Sequence, residues 1–209
     1  MKFVSLVSSG IDSPVATFLL SKKAREVILV HADNRPFTDD REIENFIKLA
    51  KYLKKLCSSK IKAYIVPHGN SLLKYKEDGS LRFTCVFCKR MMLRYAERIA
   101  ENEGAGAIIM GDSLGQVASQ TLQNIRVVEQ AVRIPVLRPL IGLDKEDVVR
   151  IAKDIGTYDL SIVKSAGCTA VPSKPATKAL LNQVLEEEKR INVDELVRET
   201  VEHATIVKL

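Results

Sequence analysis

The chain has 209 residues, 46% of them hydrophobic, and its 32 basic against 26 acidic side chains give a formal charge of +6. That length supports a sizeable core in one domain, and the composition excludes a disordered chain. No segment is apolar over the length of a membrane span and the N-terminus lacks a signal-peptide layout, so a cytoplasmic protein is expected, with a basic excess that suits RNA or an ordinary soluble surface.

Short apolar runs mark strands at Phe3–Val7, Val27–His31, Ala63–Val66, Ala107–Met110 and Pro135–Leu137. None alternates cleanly, as expected of strands covered on both faces. Helical spacing lies between them. Ile43, Phe46, Ile47, Ala50, Leu53, Leu56 and Cys57 share a stripe over 39–57. Met92, Tyr95, Ala96 and Ile99 do so over 88–103, with Gly104 as the stop. Asp144 is placed to cap a helix whose apolar face is Val148, Val149, Ala152 and Ile155. Residues 176–203 are mostly helical, and Glu186-Glu187-Glu188-Lys189-Arg190 reads as a solvated face. Thr205-Ile206-Val207 suits an added edge strand. The alternation predicts an α/β fold, a parallel five-stranded sheet with helices on both faces and a helical C-terminal appendage.

Three polar loops fall at one end of that sheet. Ser8-Ser9-Gly10-Ile11-Asp12-Ser13 follows the first strand and opens a helix, so its N–H groups form a cradle for phosphate. It lacks the endings of the P-loop and of the dinucleotide fold. Asp12 repels bare phosphate, so it is expected to hold a metal ion or fix the loop; simple capping by Asp12-Ser13 is the structural alternative. Gly111 to Leu122, with Asp112, Ser113 and Gln120, follows the fourth strand. A helix starting near Ser119 would aim a second N-terminus at the same place. Lys145 sits at a helix start, where the dipole disfavours a cation unless an anion is bound nearby.

The cysteines are Cys57, Cys85, Cys88 and Cys168. Cys57 lies on an apolar stripe and reads as core. Cys85-Val86-Phe87-Cys88 is a single Cys-x-x-Cys, weak alone as a zinc signal. With Cys168 it makes three thiols, which suit either an iron–sulfur cluster with one open iron or a nucleophile with resolving thiols. Arg90, Arg94 and Arg98 share a helical face, read as solvated, with phosphate contact as the alternative.

Together the segments 8–16, 85–92, 111–122, 138–145 and 155–158, with Cys168-Thr169 and Pro172-Ser173-Lys174-Pro175, resemble the PP-loop ATP pyrophosphatases. Within them they resemble the catalytic domain of the tRNA 4-thiouridine synthetases. The resemblance runs over about residues 2–178 and implies an adenine nucleotide α-hydrolase-like domain over 1–178, with 179–209 as a helical extension packed on it. It implies ATP and Mg2+ as cofactors, pyrophosphate in the 8–13 cradle, adenine near His31–Ala32, and Asp12 and Lys145 serving the chemistry. It implies adenylation of the uracil O4 of a tRNA uridine and replacement by sulfur carried on Cys85, Cys88 and Cys168, as persulfide or on an iron–sulfur cluster. Family members carry an RNA-binding region with a THUMP domain ahead of this domain. Its absence here leads to the expectation of a separate RNA-binding partner or a homodimer, beside a sulfur donor. A different thiolation acceptor, or a non-catalytic ATP-binding subunit, are the competing functions.

Overall fold

The computed structural model describes all 209 residues. Its centre is a sheet of order β5-β4-β1-β2-β3-β6. The strands are β1 (Lys2–Leu6), β2 (Glu26–Asp33), β3 (Lys60–Pro67), β4 (Ala107–Ile109), β5 (Val136–Leu137) and β6 (Thr205–Ile206). The first five are parallel, and β6 pairs antiparallel with β3, with Ile206 opposite Tyr64. The sheet therefore has six strands, the edge suggested at Thr205–Val207 being used.

Side-chain alternation assigns the two faces. Val4, Leu6, Ile28 and Val30 point into the larger core. That core is covered by α4 (Thr84–Glu103), α5 (Leu122–Glu129), α8 (Leu181–Glu188) and α9 (Val193–Glu202). Phe3, Val27 and Leu29 point the other way, against α1 (Asp12–Ser21), α2 (Asp40–Leu56) and α6 (Lys145–Asp154). Two short helices complete the set, α3 (Gly69–Asp78) and α7 (Tyr158–Ser161). A one-residue slip of β2 would exchange both buried sets, which fixes its register. No helix is long and apolar enough to cross a membrane.

The expected punctuation is present. Asp144 accepts from the Asp147 N–H at 3.0 Å and caps α6. Gly104 ends α4 at φ 66°, where a side chain would be strained. Three expectations are corrected. The helix α4 starts at Thr84, so Cys85 and Cys88 lie in its first two turns. The solvated face at 186–190 does not hold for Glu188, which is buried. Nor is the Arg90–Arg94–Arg98 face solvated throughout. Arg90 is 1% exposed and donates to Glu188 through Nε at 2.8 Å and Nη2 at 3.0 Å. Arg94 adds two bonds to the same carboxylate at 2.8 and 2.7 Å, while Arg98 stays exposed beside Glu101. Burial alone would raise the Glu188 pKa, but Arg94 and Arg90 hold it below the usual carboxylate range. Helix spacing cannot tell a solvated charge from one paired across 94 residues of sequence.

Candidate functional site

The strand order reverses between β1 and β4, and a cleft of about 400 Å³ opens over their C-terminal ends. One wall is the turn from β1 into α1. Ser13 Oγ accepts from the Ser8 N–H at 2.9 Å, and Ser8 Oγ accepts from the Gly10 N–H at 3.3 Å, which folds the turn tightly. No side chain caps α1. The N–H groups of its first turn, which lack intrahelical acceptors, thus remain for a ligand. This removes the simple capping role for Asp12 and Ser13.

The loop after β4 presses against this turn. A Cβ added to Gly111 would lie 2.8 Å from the Cα and N of Ser13, so only glycine lets the two backbones meet. Beyond it, Asp112 is 4% exposed and shared by two cations, Lys89 Nζ at 2.6 Å and Arg138 Nε at 3.3 Å. Burial would raise the Asp112 pKa; Lys89 and Arg138 outweigh it and hold the group ionised.

The far wall comes from the end of β2. His31 stacks on Phe46 with ring centroids 4.4 Å apart, and its Nδ1 lies 2.9 Å from the Val7 carbonyl. A carbonyl only accepts, so Nδ1 carries the proton and Nε2 is an acceptor. Burial lowers the His31 pKa and keeps the ring neutral. Nε2 of His31, Oδ1 of Asn34 and Oε1 of Gln120 are all buried without a partner, and all three residues line the cleft. Each such atom costs about 1–3 kcal/mol unless a ligand donates to it. The cleft therefore offers N–H donors at one wall and orphaned acceptors at the others.

Of the residues expected to bind nucleotide, Ser8, Gly10, Ile11, Asp12, Ser13, His31, Ala32, Gly111, Asp112 and Gln120 line the cleft. Ser9, Ser113 and Lys145 do not. Ser113 turns inward and donates to the Leu143 carbonyl at 2.8 Å, tying the β4 loop to the segment before α6. Lys145 finds its anion within the chain: Nζ lies 2.6 Å from Asp12 Oδ1, with Lys145 49% exposed. The second helix starts at Leu122, capped by Thr121, so the segment 118–120 at the cleft is a short 3-10 turn instead. Among the polar lining residues, Lys89, Asn34 and Glu42 lie outside the expected loops and were not anticipated. Lys89 is one helical turn after Cys85 and next to Cys88, the only sequence hint of its place.

The three cysteines gather beside the cleft without lining it. Cys88 and Cys168 pack together against Phe37, Leu72 and Ala170. Burial first, then the neighbouring Cys168 and Cys85, push the Cys88 thiol up to about 12; burial and Cys168 raise Cys85 as well. His68 is fully buried with its pKa lowered to about 3, so it is neutral, and its Nε2 lies 3.3 Å from Cys88 Sγ. Its Nδ1 meets Tyr95 Oη at 3.0 Å, and Tyr95 meets Ser71 Oγ at 2.8 Å. Three soft thiols match an iron–sulfur cluster in donor type. No three His, Cys, Asp or Glu side chains converge on a single metal ion; a cluster spans several irons and takes more widely spaced thiolates.

Residues 1–193 match the profile of the family described as thiamine biosynthesis protein (ThiI). The chain belongs to the ThiI family. It is 45% identical over 199 residues to a probable tRNA sulfurtransferase of Methanothermobacter thermautotrophicus, which covers 95% of this chain and 51% of that protein. A probable tRNA sulfurtransferase of Methanobrevibacter smithii is 46% identical over 94% of this chain and 52% of its own. The chain thus spans about half the length of these relatives. Among solved structures, a 4-thiouridine synthetase–RNA complex with bound ATP superposes with a TM-score of 0.93 at 32% identity, over 99% of this chain and 55% of that one. The NMN synthetase of Francisella tularensis, at TM-score 0.56 and 15% identity, shares the fold.

Proposed function

We propose that this chain is the ATP-using catalytic part of a tRNA sulfurtransferase that makes 4-thiouridine in the cytoplasm. The observation that carries this is the cleft: a donor-lined anion cradle facing three orphaned acceptors is the complement of a nucleotide, in a chain that superposes along its length on an ATP-bound 4-thiouridine synthetase. The catalytic unit is assigned to 1–178 and the rest to a helical extension on it.

The first-turn N–H groups of α1 and the loop from Ser8 to Ser13 take the polyphosphate. The adenine lies at His31–Ala32, where its exocyclic amine donates to an orphaned acceptor. Gln120 and Asn34 serve the remaining donors, and Gly111 keeps the two loops close. When ATP arrives, Lys145 is free to turn from Asp12 to the phosphates. Asp12 would then hold Mg2+, whose charge would offset that on the leaving pyrophosphate. Uracil O4 attacks the α-phosphorus and pyrophosphate leaves. Sulfur then attacks C4, and AMP departs with the former O4.

The cysteine group is the sulfur station. A donor protein's persulfide passes its outer sulfur to one of Cys168 and Cys85, and that sulfur attacks C4. The other thiol then attacks the S–S bond, releasing 4-thiouridine and leaving a Cys85–Cys168 disulfide that an external thiol reduces. His68 lies beside Cys88. Cys85, Cys88 and Cys168 would hold an iron–sulfur cluster through their soft thiolates. The tRNA is captured by a THUMP-like region, a separate partner or a second copy; a donor protein supplies persulfide sulfur, or sulfide would serve directly where a cluster iron held it. Cys168→Ala and Cys85→Ala are each expected to abolish 4-thiouridine formation while leaving ATP affinity within about twofold, a change too small to reflect a lost contact. Full thiolation by both variants would remove the cysteine assignment. An anaerobic absorbance spectrum with iron and sulfide content separates cluster from free thiols.

A further inference from the structure

One carboxylate reaches both halves of the proposed site. Glu42, in the first turn of α2, lines the nucleotide cleft. Its Oε1 accepts from the Ser9 N–H of the phosphate loop at 3.4 Å, and its Oε2 accepts from Ser165 Oγ at 2.9 Å. Ser165 is three residues before Cys168. The other contacts that hold this segment come from the same stretch of chain but do not touch the phosphate loop. They are Asn45 Nδ2 to the Val163 carbonyl at 3.4 Å, the Ala166 N–H to Asp39 Oδ2 at 3.2 Å, and Thr169 N–H and Oγ1 to the Phe37 carbonyl at 2.9 and 3.1 Å.

We infer that Glu42 is a positioning residue that latches the Cys168 segment to the phosphate loop and lets go of it when nucleotide binds. The inference rests on the assignment of phosphate to the 8–13 cradle. Ser9 lies off the cleft lining, but its N–H belongs to the 8–13 loop, so a phosphate bound by that loop competes for it with a carboxylate held at 3.4 Å. The like charge of the phosphates then drives Glu42 away from the loop. As it withdraws, Ser165 loses its acceptor. Cys168, half-buried against Phe37 and Leu72, is released at the moment an activated oxygen is being made. Occupancy of one site thereby times access to the other.

The test is the alkylation rate of Cys168 by iodoacetamide, read by peptide mass spectrometry on the intact chain. It is measured with and without α,β-methylene ATP, whose binding is followed separately by calorimetry. Buried Cys57 serves as the internal reference for folding. The analogue is expected to speed Cys168 about tenfold or more, the scale of one lost hydrogen bond to a charged group. Ser165→Ala, which leaves the phosphate loop untouched, should label at the fast rate without nucleotide and respond by less than about twofold, since its bond to Glu42 is already gone. Glu42→Ala should do the same. A bound analogue that leaves wild-type Cys168 unchanged overturns the latch, as does a Ser165→Ala chain with the full wild-type response. If the analogue does not bind, the nucleotide assignment fails. The comparison of Ser165→Ala with wild type in its absence then still decides: faster labelling supports the latch and an equal rate refutes it.

Discussion

Gly111→Ala isolates the approach of the two loops that line the cleft. The new methyl carbon would sit 2.8 Å from Ser13 Cα and N, and 3.0 Å from the Asp12 carbonyl carbon. These are backbone atoms, so no rotamer change relieves the clash, and restoring ordinary contact needs a shift of about 0.6 Å or more between the β4 loop and α1. Overpacking of this kind costs about 1–3 kcal/mol. The open cleft is the direction in which the loops can yield, so the cost falls on ligand geometry, equivalent to about 5- to 150-fold in Kd for ATP. Gly106→Ala, at the other end of the same strand, has nothing within 4 Å of its new Cβ and is the matched control. Isothermal calorimetry with ATP reads both variants. An ATP Kd for Gly111→Ala within twofold of the control would refute the cradle as described.

Glu188→Ala strands two buried or half-buried arginines, at an expected cost of about 3–5 kcal/mol. For a chain of this size that lowers Tm by about 6–20 °C, at roughly 2–4 °C per kcal/mol; a melt within 2 °C of wild type by circular dichroism would contradict the network. Acid should destabilise the fold through the same groups. Asp112 and Glu188 have folded pKa values below their unfolded ones, so their contribution is present above about pH 4–5 and is lost as pH falls through the folded values. Urea midpoints at pH 7 and pH 3.5 should differ in wild type and differ less in Asp112→Asn; equal midpoints in wild type would negate this. Lys145→Ala, which removes a cation beside Asp12, should slow pyrophosphate release at least about tenfold with less than about 1 kcal/mol lost in stability, because the pair is largely exposed.

The sheet was legible because strands buried on both faces leave short apolar runs, and because Asp144 and Gly104 mark helix ends through local geometry alone. That the loops after β1 and β4 share a cleft was legible for a related reason: both follow parallel strands and end at one edge of the sheet. Pairings made across the fold were not. Arg90 and Glu188 look solvated until α8 is laid on α4, and Ser113 looks like a ligand residue until the Leu143 carbonyl is found beneath it. Lys89 and Glu42 carry no local signature, since a charged residue on a helix reads the same whether it faces water or a cleft. The cysteine group was half legible. The three thiols do gather, yet Cys168 reaches Cys88 through a segment that hangs from α2, which no spacing rule encodes.

The central claim is that this site activates uracil O4 by adenylation before sulfur replaces it. Transfer RNA carrying 18O at O4 of the target uridine tests it directly, with ATP and a sulfur source supplied to the chain and any RNA-binding partner. The account predicts one 18O atom in the phosphate of the AMP released, in step with 4-thiouridine formed. Unlabelled AMP alongside 4-thiouridine would contradict it.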